Sequence, residues 1–192
     1  MMSKARMEAF SDCVISILIT IMVLGLASPH GNNLAALLPL VPTFLSYVLS
    51  FVLLGIYWNN HHHLLQATGH VDGRVLWANM HFLFWLSLIP FATAWMGENN
   101  FSAWPVALYG TVHFFSGIAY LILTRALIAL HGKDSVLAIA IGRDVKGAVS
   151  AAILVSAIPL AFFRTWISCA MYVLLAIIWF VPDRRIEKTM IK

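Results

Sequence analysis

Charged side chains are scarce in this sequence. Of its 192 residues only 10% are Asp, Glu, Lys or Arg, whereas 61% are hydrophobic, and the mean hydropathy is +0.86. A water-soluble domain carries about 25% charged residues on average. The shortage therefore excludes a soluble globular protein and predicts an integral membrane protein.

Cysteine is also rare, and the sequence patterns of several enzyme classes are missing. Cys13 and Cys169 both lie inside apolar stretches, so they predict no disulfide framework. The chain has no HExxH, GxSxG, Walker or GxGxxG pattern in a catalytic context. We therefore expect no enzyme and no cofactor. The basic residues are scattered singly between apolar runs, which indicates membrane topology signals and no nucleic-acid partner.

Long apolar runs dominate what the sequence does contain. About 20 apolar residues in a helix cross a bilayer, and each backbone amide inside it must be paired within the segment. The run after Gly147 is too long for one crossing, so we expect a tight turn at Arg164. The sequence thus predicts an all-α integral membrane protein in which residues 1–192 form a single six-span domain. The expected spans are about 9–27, 34–58, 75–96 with a kink at Pro90, 104–124, 148–163 and 165–181.

The basic residues are distributed unevenly over the ends of these spans. Arg164 alone falls on one side of the membrane. The positive-inside rule then predicts a multi-pass protein of the inner (plasma) membrane with both termini in the cytoplasm. Glu8 and Asp12 argue against a cleavable signal peptide at the N-terminus. The basic residues on the other side are Lys4, Arg6, Arg74, Arg125, Lys133, Arg143, Lys146, Arg184, Arg185, Lys188 and Lys192.

The start of the first span carries the most specific motif. Arg6, Phe10, Ser11 and Asp12 form the pattern RxxxFSD, which the sequence CVISILITIMVL follows directly. This stretch closely resembles the signature of the transmembrane-protein-175 family, the lysosomal potassium channel of animals and its prokaryotic homologues. The Trp, Asn and His cluster at residues 58–63 and His81 in the third span fit the same family.

The resemblance implies a fold, an assembly and a function. Animal members carry two six-span repeats, so a chain with one repeat would be a prokaryotic form that assembles as a homotetramer. In the family the residue matching Ile17 forms a constriction and the residue matching Thr20 contributes to selectivity, with Leu24 as a further pore-lining position here. The implied function is a cation channel that modestly prefers potassium over sodium. Its partners would be its own copies, potassium ions and the lipid bilayer.

The spacing of residues in the first span is compatible with this implication. Cys13, Ile17, Thr20 and Leu24 recur at intervals of four, three and four, so they share one helix face. Ordinary helix packing produces such stripes as well. Around a four-fold axis, however, Ile17 would close a hydrophobic constriction and Thr20 would add a ring of hydroxyls. The chain has no TVGYG filter, so we expect selection by partial dehydration at these rings.

Asp12 predicts a polar network around the first span. A lipid-facing Asp at a helix centre costs about 2.5 to 3.5 kcal/mol, so Asp12 is expected to face protein or water. Arg6 and Asp12 lie about 240° apart on a helix and need a third group from another helix. His81 is the expected partner, and Phe10 and Ser11 complete the signature. This network could simply lock helix packing near the entrance, a role that is compatible with supporting the pore.

Two alternative functions remain open from sequence alone. A proton-permeable channel or a secondary transporter would use Asp12 and His81. A haem-binding protein would use His81 and His113, although counting residues places these two at depths that differ by about 8 Å. The run at residues 61–63 is a poor metal site, because consecutive histidines on a helix point about 100° apart.

Overall fold

All regular structure in the described part of the chain is helical. The computed structural model describes residues 3–132, 135–141 and 144–180. Several of the basic residues counted above lie outside these ranges, namely Lys133, Arg143, Arg184, Arg185, Lys188 and Lys192. The helices are α1 (Lys4–Leu24), a 3-10 helix (Leu34–Leu40), α2 (Val41–Gln66), α3 (Gly73–Ser87), α4 (Ile89–Glu98), α5 (Ala103–His131), α6 (Val136–Ile141), α7 (Val145–Leu160) and α8 (Thr165–Phe180).

The helices form four long and two short apolar units. Within the described ranges, four segments are long and apolar enough to cross a membrane: Lys4–Leu24, Leu34–Gln66, Gly73–Glu98 and Ala103–His131. The apolar helices α7 and α8 have 16 residues each, or about 24 Å. They form a hairpin, because the amides of Phe163 and Arg164 both bond to the Leu160 carbonyl. The predicted all-α membrane fold is confirmed, and these units agree with the predicted number of six.

Two helices extend beyond the apolar windows that the sequence defines. α1 begins at Lys4 rather than near residue 9, because the Ser3 hydroxyl accepts the Arg6 amide at 3.4 Å and caps the helix. α2 continues through the polar residues 59–63 to Gln66. A helix needs apolar side chains only where it meets hydrocarbon, so its polar continuation is invisible to hydropathy.

The third span is interrupted next to its proline. α3 ends at Ser87 and α4 begins at Ile89, and Pro90 occupies the first turn of α4. Proline has no amide hydrogen and its ring crowds the preceding turn, so the regular bonding of a continuous helix is lost there.

α5 is the centre of the bundle, and it packs against α3, α4, α7 and α8. Its crossing with α8 is close: a Cβ added at Gly110 would collide with the Tyr172 hydroxyl, which donates to the Val106 carbonyl at 3.0 Å. Ser50 of α2 bonds to Thr93 of α4 at 2.7 Å and to Tyr109 of α5 at 3.0 Å. The interior of one subunit is therefore held by paired polar groups as well as by apolar packing.

The basic residues of the described part collect at one end of the bundle. The N-terminus of α1 meets the C-terminus of α2 there, because the Lys4 ammonium donates to the Thr68 carbonyl at 2.8 Å. Arg164 lies at the opposite end, in the turn of the α7–α8 hairpin. We call the first end the basic end; its described basic residues are Lys4, Arg6, Arg74, Arg125 and Lys146.

Candidate functional site

α1 has one face packed against its own chain and one face bare. The buried residues recur at intervals of four, four, three and four: Met7, Ser11, Ile15, Leu18 and Met22. Cys13, Ile17, Thr20 and Leu24 lie on the other side and are exposed; Ile17 is 56% exposed and Leu24 76%. The stripe that the sequence predicts is therefore turned away from the core of the subunit. Packing within a single chain does not explain it.

Two hydroxyls on the bare face have their hydrogens engaged by the helix itself. Ser16 donates to the Asp12 carbonyl at 2.7 Å, and Thr20 donates to the Ser16 carbonyl at 3.0 Å. A hydroxyl has one hydrogen and two lone pairs, so each oxygen keeps its acceptor capacity toward the outside. The face thus combines bulky apolar side chains with oxygen acceptors, which suit a cation.

Asp12 is bonded to α2, which differs from the prediction. Its Oδ1 accepts the indole N–H of Trp58 at 2.9 Å. His81, the expected partner, lies on an exposed part of α3 and accepts the indole N–H of Trp85 at 3.0 Å. Counting residues inward estimates depth but not the direction a side chain takes around its helix, and His81 lies off the buried face of α3. The first partner of Asp12 within the subunit is therefore Trp58.

A second contact joins the same two helices one turn nearer the basic end. His62 Nδ1 lies 3.5 Å from Glu8 Oε1, and the His62 ring stacks on Trp58 with centroids 5.7 Å apart. Glu8 and Asp12 are one turn apart on α1, and Trp58 and His62 are one turn apart on α2. The Asp12–Trp58 and Glu8–His62 contacts thus hold the first half of α1 against α2.

The first two residues of the RxxxFSD motif point outward. Phe10 is 50% exposed, and the Arg6 side chain is also exposed. Within the described residues, the Arg6 guanidinium makes no hydrogen bond or ion pair with the rest of its subunit. Of the signature residues, the structure therefore brings Ser11 and Asp12 to neighbouring helices and leaves Arg6, Phe10 and His81 on the outside.

Ser11 belongs to a fully buried chain of hydrogen bonds across three helices. Asn79 of α3 donates through Nδ2 to Ser11 Oγ at 2.9 Å, and Ser11 donates to the Met7 carbonyl at 2.9 Å. His61 of α2 lies 2.8 Å from Asn79 Oδ1, and because an amide oxygen only accepts, His61 carries its hydrogen on Nε2. All three side chains are buried. These side-chain hydrogen bonds fix the relative position of α1, α2 and α3, although His61 Nδ1 has no hydrogen-bond partner among the described residues.

The sequence analysis did not predict that Asn79 and His61 form hydrogen bonds in the network around Ser11. Asn79 carried a detectable signal, since a polar side chain within an apolar span is expensive unless it has a partner, whereas His61 lies beyond the apolar window that ends at residue 58. What the sequence lacked was the pairing. The three partners are separated by 50 and 18 positions along the chain, so no local spacing connects them.

His81 and His113, the residues considered for a haem, lie in different surroundings. His113 is buried on α5, where its ring stacks on Tyr57 at 6.0 Å and lies 4.5 Å from the Tyr109 ring. Both of its ring nitrogens lack a hydrogen-bond partner among the described residues. His81 is exposed on α3. Within the same ranges, no group of three or more His, Cys, Asp or Glu side chains is arranged to hold a metal.

The α1 motif and the helices around it match a known family. The family model described as Endosomal/lysosomal potassium channel TMEM175 matches residues 6–90, which run from α1 into α4. Potassium channel HX13_20290 of Chryseobacterium sp. (strain P1-3) is 49% identical over 189 residues, which are 98% of each chain. The chain therefore belongs to the TMEM175 family. The resemblance noted in the sequence is confirmed.

Two further comparisons extend this match. The crystal structure of a lysosomal potassium-selective channel TMEM175 homolog from Chamaesiphon minutus superposes with a TM-score of 0.81 and 25% identity, covering 94% of this chain and 97% of the other. Endosomal/lysosomal proton channel TMEM175 of Gallus gallus is 37% identical over 75 residues, 33% of this chain and 15% of that protein. All of these relatives are named as channels, in agreement with the expectation that the chain is not an enzyme.

Proposed function

We propose that this chain is a potassium channel whose pore is lined by α1 from several identical subunits. The observation that carries the proposal is the bare face of α1, with Ile17, Thr20 and Leu24 turned away from the core. The bacterial relative named a potassium channel, and the superposable structure described as potassium-selective, support the choice of ion. The expected preference over sodium is modest.

The residues of the bare face take different roles in such a pore. A ring of Ile17 side chains forms the narrowest, dry point, which gates by excluding water. Thr20 follows one turn later, about 4.5 Å along the axis, and offers oxygens to a partly hydrated ion. Leu24 extends the apolar lining of the pore toward the C-terminal end of α1. Potassium holds its water less tightly than sodium, so the partial dehydration favours potassium.

The assembly that satisfies α1 is a homotetramer. A pore lined by one helix from each subunit needs several copies, and Ile17, Thr20 and Leu24 of α1 are exposed within their own chain. The outward Arg6 and Phe10 lie where a neighbouring subunit would supply contacts. The number four is what the family resemblance implies for a chain with one six-span repeat. Mass measurement of the purified protein in detergent tests the number.

We propose that the basic end lies on the cytoplasmic side of the plasma membrane. In the described part of the chain, Lys4, Arg74 and Lys146 are among the basic residues at that end, and Arg164 lies at the other. This distribution follows the positive-inside rule. Both termini would then be cytoplasmic, and the α7–α8 turn would lie outside. Labelling of a cysteine placed at Arg164 in intact cells by an impermeant reagent tests the orientation.

Ion flux from reconstituted liposomes tests the pore. Ile17→Asn is expected to increase potassium flux, because a polar side chain keeps the constriction wet. Ile177→Asn is the matched control: Ile177 is 60% exposed, similar to Ile17, but lies on α8. The control should conduct like the parent. Equal flux from the parent and the Ile17 variant would remove α1 from the pore, and equal increases in both variants would indicate a general leak.

Proton permeation is a second candidate, and the place of Asp12 favours it. The carboxylate lies at the edge of the bare face and has a hydrogen bond to Trp58. The animal relative is named a proton channel. Asp12→Asn is expected to lower proton flux into dye-loaded liposomes more than potassium flux. Glu98→Gln, at the opposite end of the bundle, is the control carboxylate. Unchanged proton flux in the Asp12 variant would exclude this route.

The proposed channel needs no cofactor besides the permeant ion. His113 is enclosed by Tyr57 and Tyr109, and His81 lies on the exterior of α3. The purified protein should therefore show no Soret absorbance. A Soret band that disappears in His113→Ala would instead favour electron transfer.

A further inference from the structure

The loop that connects α2 and α3, residues 67–72, is held by two side chains from distant parts of the chain. His131, the last residue of α5, accepts through Nε2 from the backbone amides of Gly69 at 3.2 Å and His70 at 3.4 Å. Lys4, the first residue of α1, donates to the Thr68 carbonyl at 2.8 Å. Adjacent loop residues thus connect the end of α5 to the start of α1.

The hydrogen bonds of His131 define its protonation state. Its Nδ1 lies 2.9 Å from the Leu127 carbonyl, and a carbonyl only accepts, so Nδ1 carries the hydrogen. Nε2 receives two amide hydrogens and must present a lone pair. Both sides of the ring are therefore satisfied only when the imidazole is neutral. A proton on Nε2 would place a donor against two donors.

We propose that His131 is a pH-sensitive clamp, which holds the α2–α3 loop when the ring is neutral and releases it when the ring is protonated. Histidine is the side chain that ordinarily changes charge between about pH 5 and 8. Release breaks the two hydrogen bonds that His131 accepts from loop amides next to Thr68, the residue whose carbonyl binds Lys4. The start of the proposed pore helix is thereby loosened.

Charged and titratable groups from the loop, from α1 and from α5 surround the clamp. The His70 ring lies 4.8 Å from the His131 ring, and Lys4 brings a positive charge to the neighbouring Thr68. Asp72, the loop carboxylate, is engaged in capping α3, where it accepts the Val75 amide at 2.9 Å. On α5 itself Arg125 adds a further positive charge. Lys133 and Asp134 follow His131 in sequence and lie outside the described residues.

The release also concerns the two helices that the loop connects. α2 ends at Gln66 and carries His61, and α3 begins at Gly73 and carries Asn79. These two residues hold Ser11 of α1. A looser loop therefore weakens the attachment of α1 at Lys4. The buried hydrogen bonds that connect Ser11, Asn79 and His61 still hold the next part of α1 in place. The effect on ion flux rests on the proposed function, whereas the clamp itself does not.

Hydrogen–deuterium exchange of the whole reconstituted chain tests the clamp. After correction for intrinsic exchange rates, amides in residues 67–72 are expected to exchange several-fold faster at pH 6 than at pH 8. The turn around residues 99–102, at the opposite end of the bundle, is an internal reference that contains no histidine and should not change. Equal protection of the α2–α3 loop at both pH values would overturn the proposal, without any variant being needed.

Two matched variants identify the group that titrates. His131→Gln cannot be protonated, so its loop should exchange at a rate that does not depend on pH. His70→Gln removes the neighbouring ring but keeps the backbone amide that His131 holds, so the pH dependence should persist. A pH dependence that survives in His131→Gln, or is lost in His70→Gln, would assign the switch to another group.

Potassium flux measured with the same proteins separates this proposal from the channel itself. A pH-dependent loop in a protein that conducts no potassium leaves the clamp standing and defeats the proposed function. Potassium flux with a pH-independent loop does the reverse. When both hold, acidification at the basic end should change the flux in the parent and not in His131→Gln.

Discussion

α1 and α5 are both long apolar helices, but they differ in how much of their surface is packed against the rest of the chain. The α5 span is 50% buried inside the chain and the α1 span 28%, while the span that contains α2 is 22% buried. α5 buries Tyr109, His113 and Ser116 among its neighbours, whereas α1 turns Thr20 and Ser16 outward. Hydropathy alone does not distinguish the two helices. The difference indicates that α5 is a scaffold packed within one chain, whereas in the proposed channel other copies and the pore contents would contact the exposed face of α1.

This comparison predicts that substitutions in α5 act mainly on folding and that substitutions on the bare face of α1 act mainly on permeation. The buried face of α1 lies between these cases, because it joins the helix to the scaffold. Three variants, one for each surface, test the division.

The largest effect is expected at Gly110, where α5 crosses α8. Gly110→Val forces the Tyr172 hydroxyl away from Val106, and overpacking of this kind destabilises by about 3 kcal/mol or more at a rigid crossing. Gly117→Val is the control on the same helix, since an added Cβ there has nothing within 4 Å. Thermal unfolding in detergent should show a large loss for the first variant and little change for the second. Similar losses would mean that valine itself disturbs α5.

An intermediate effect is expected at Asn79, which holds the buried face of α1. Asn79→Ala leaves the His61 side chain without a partner and removes the hydrogen bond that Ser11 accepts, although Ser11 keeps its bond to the Met7 carbonyl. An unsatisfied buried group costs about 1–3 kcal/mol. Asn99→Ala removes an exposed bond to the Trp95 carbonyl and should stay within about 0.5 kcal/mol of the parent. Denaturant titration measures both. If the two variants unfold alike, the buried chain does not anchor α1.

The smallest effect on folding, and a selective effect on permeation, is expected at Thr20. Thr20→Val keeps the shape but removes the hydroxyl, so the potassium-to-sodium permeability ratio should fall toward unity while the unfolding temperature stays unchanged. Thr111→Val is the control on α5, where the hydroxyl donates to the Ala107 carbonyl inside the scaffold. Bilayer recordings under mixed ion gradients measure the ratio. An equal ratio in the parent and Thr20→Val would place selection elsewhere.

The sequence predicted the parts of this structure that depend on composition and local order. The shortage of charge predicts the membrane fold, the proline predicts the interruption before α4, and the RxxxFSD pattern leads to the family. Periodicity places Ile17, Thr20 and Leu24 on one face. It does not predict whether that face is buried or bare, because either arrangement has the same spacing.

The long-range partners were beyond the reach of the sequence. Asp12 was expected to meet His81, but it bonds to Trp58, because the direction of a side chain around its helix depends on how the helices rotate against each other. The same reason hid the bonds of Asn79 and His131. In each case the sequence shows a polar residue in need of a partner, and only the packed bundle identifies it.

In the proposed pore, the hydroxyls of Ser16 and Thr20 would also affect which ions are excluded. Each gives its hydrogen to the backbone of its own helix, so what remains for a passing ion is electron density. Chloride arriving at such a ring would find no donor to replace its water, while a cation would find several acceptors. Discrimination between charges of opposite sign can then arise from two ordinary hydrogen bonds along one helix, without a single ionised side chain at the narrowest point.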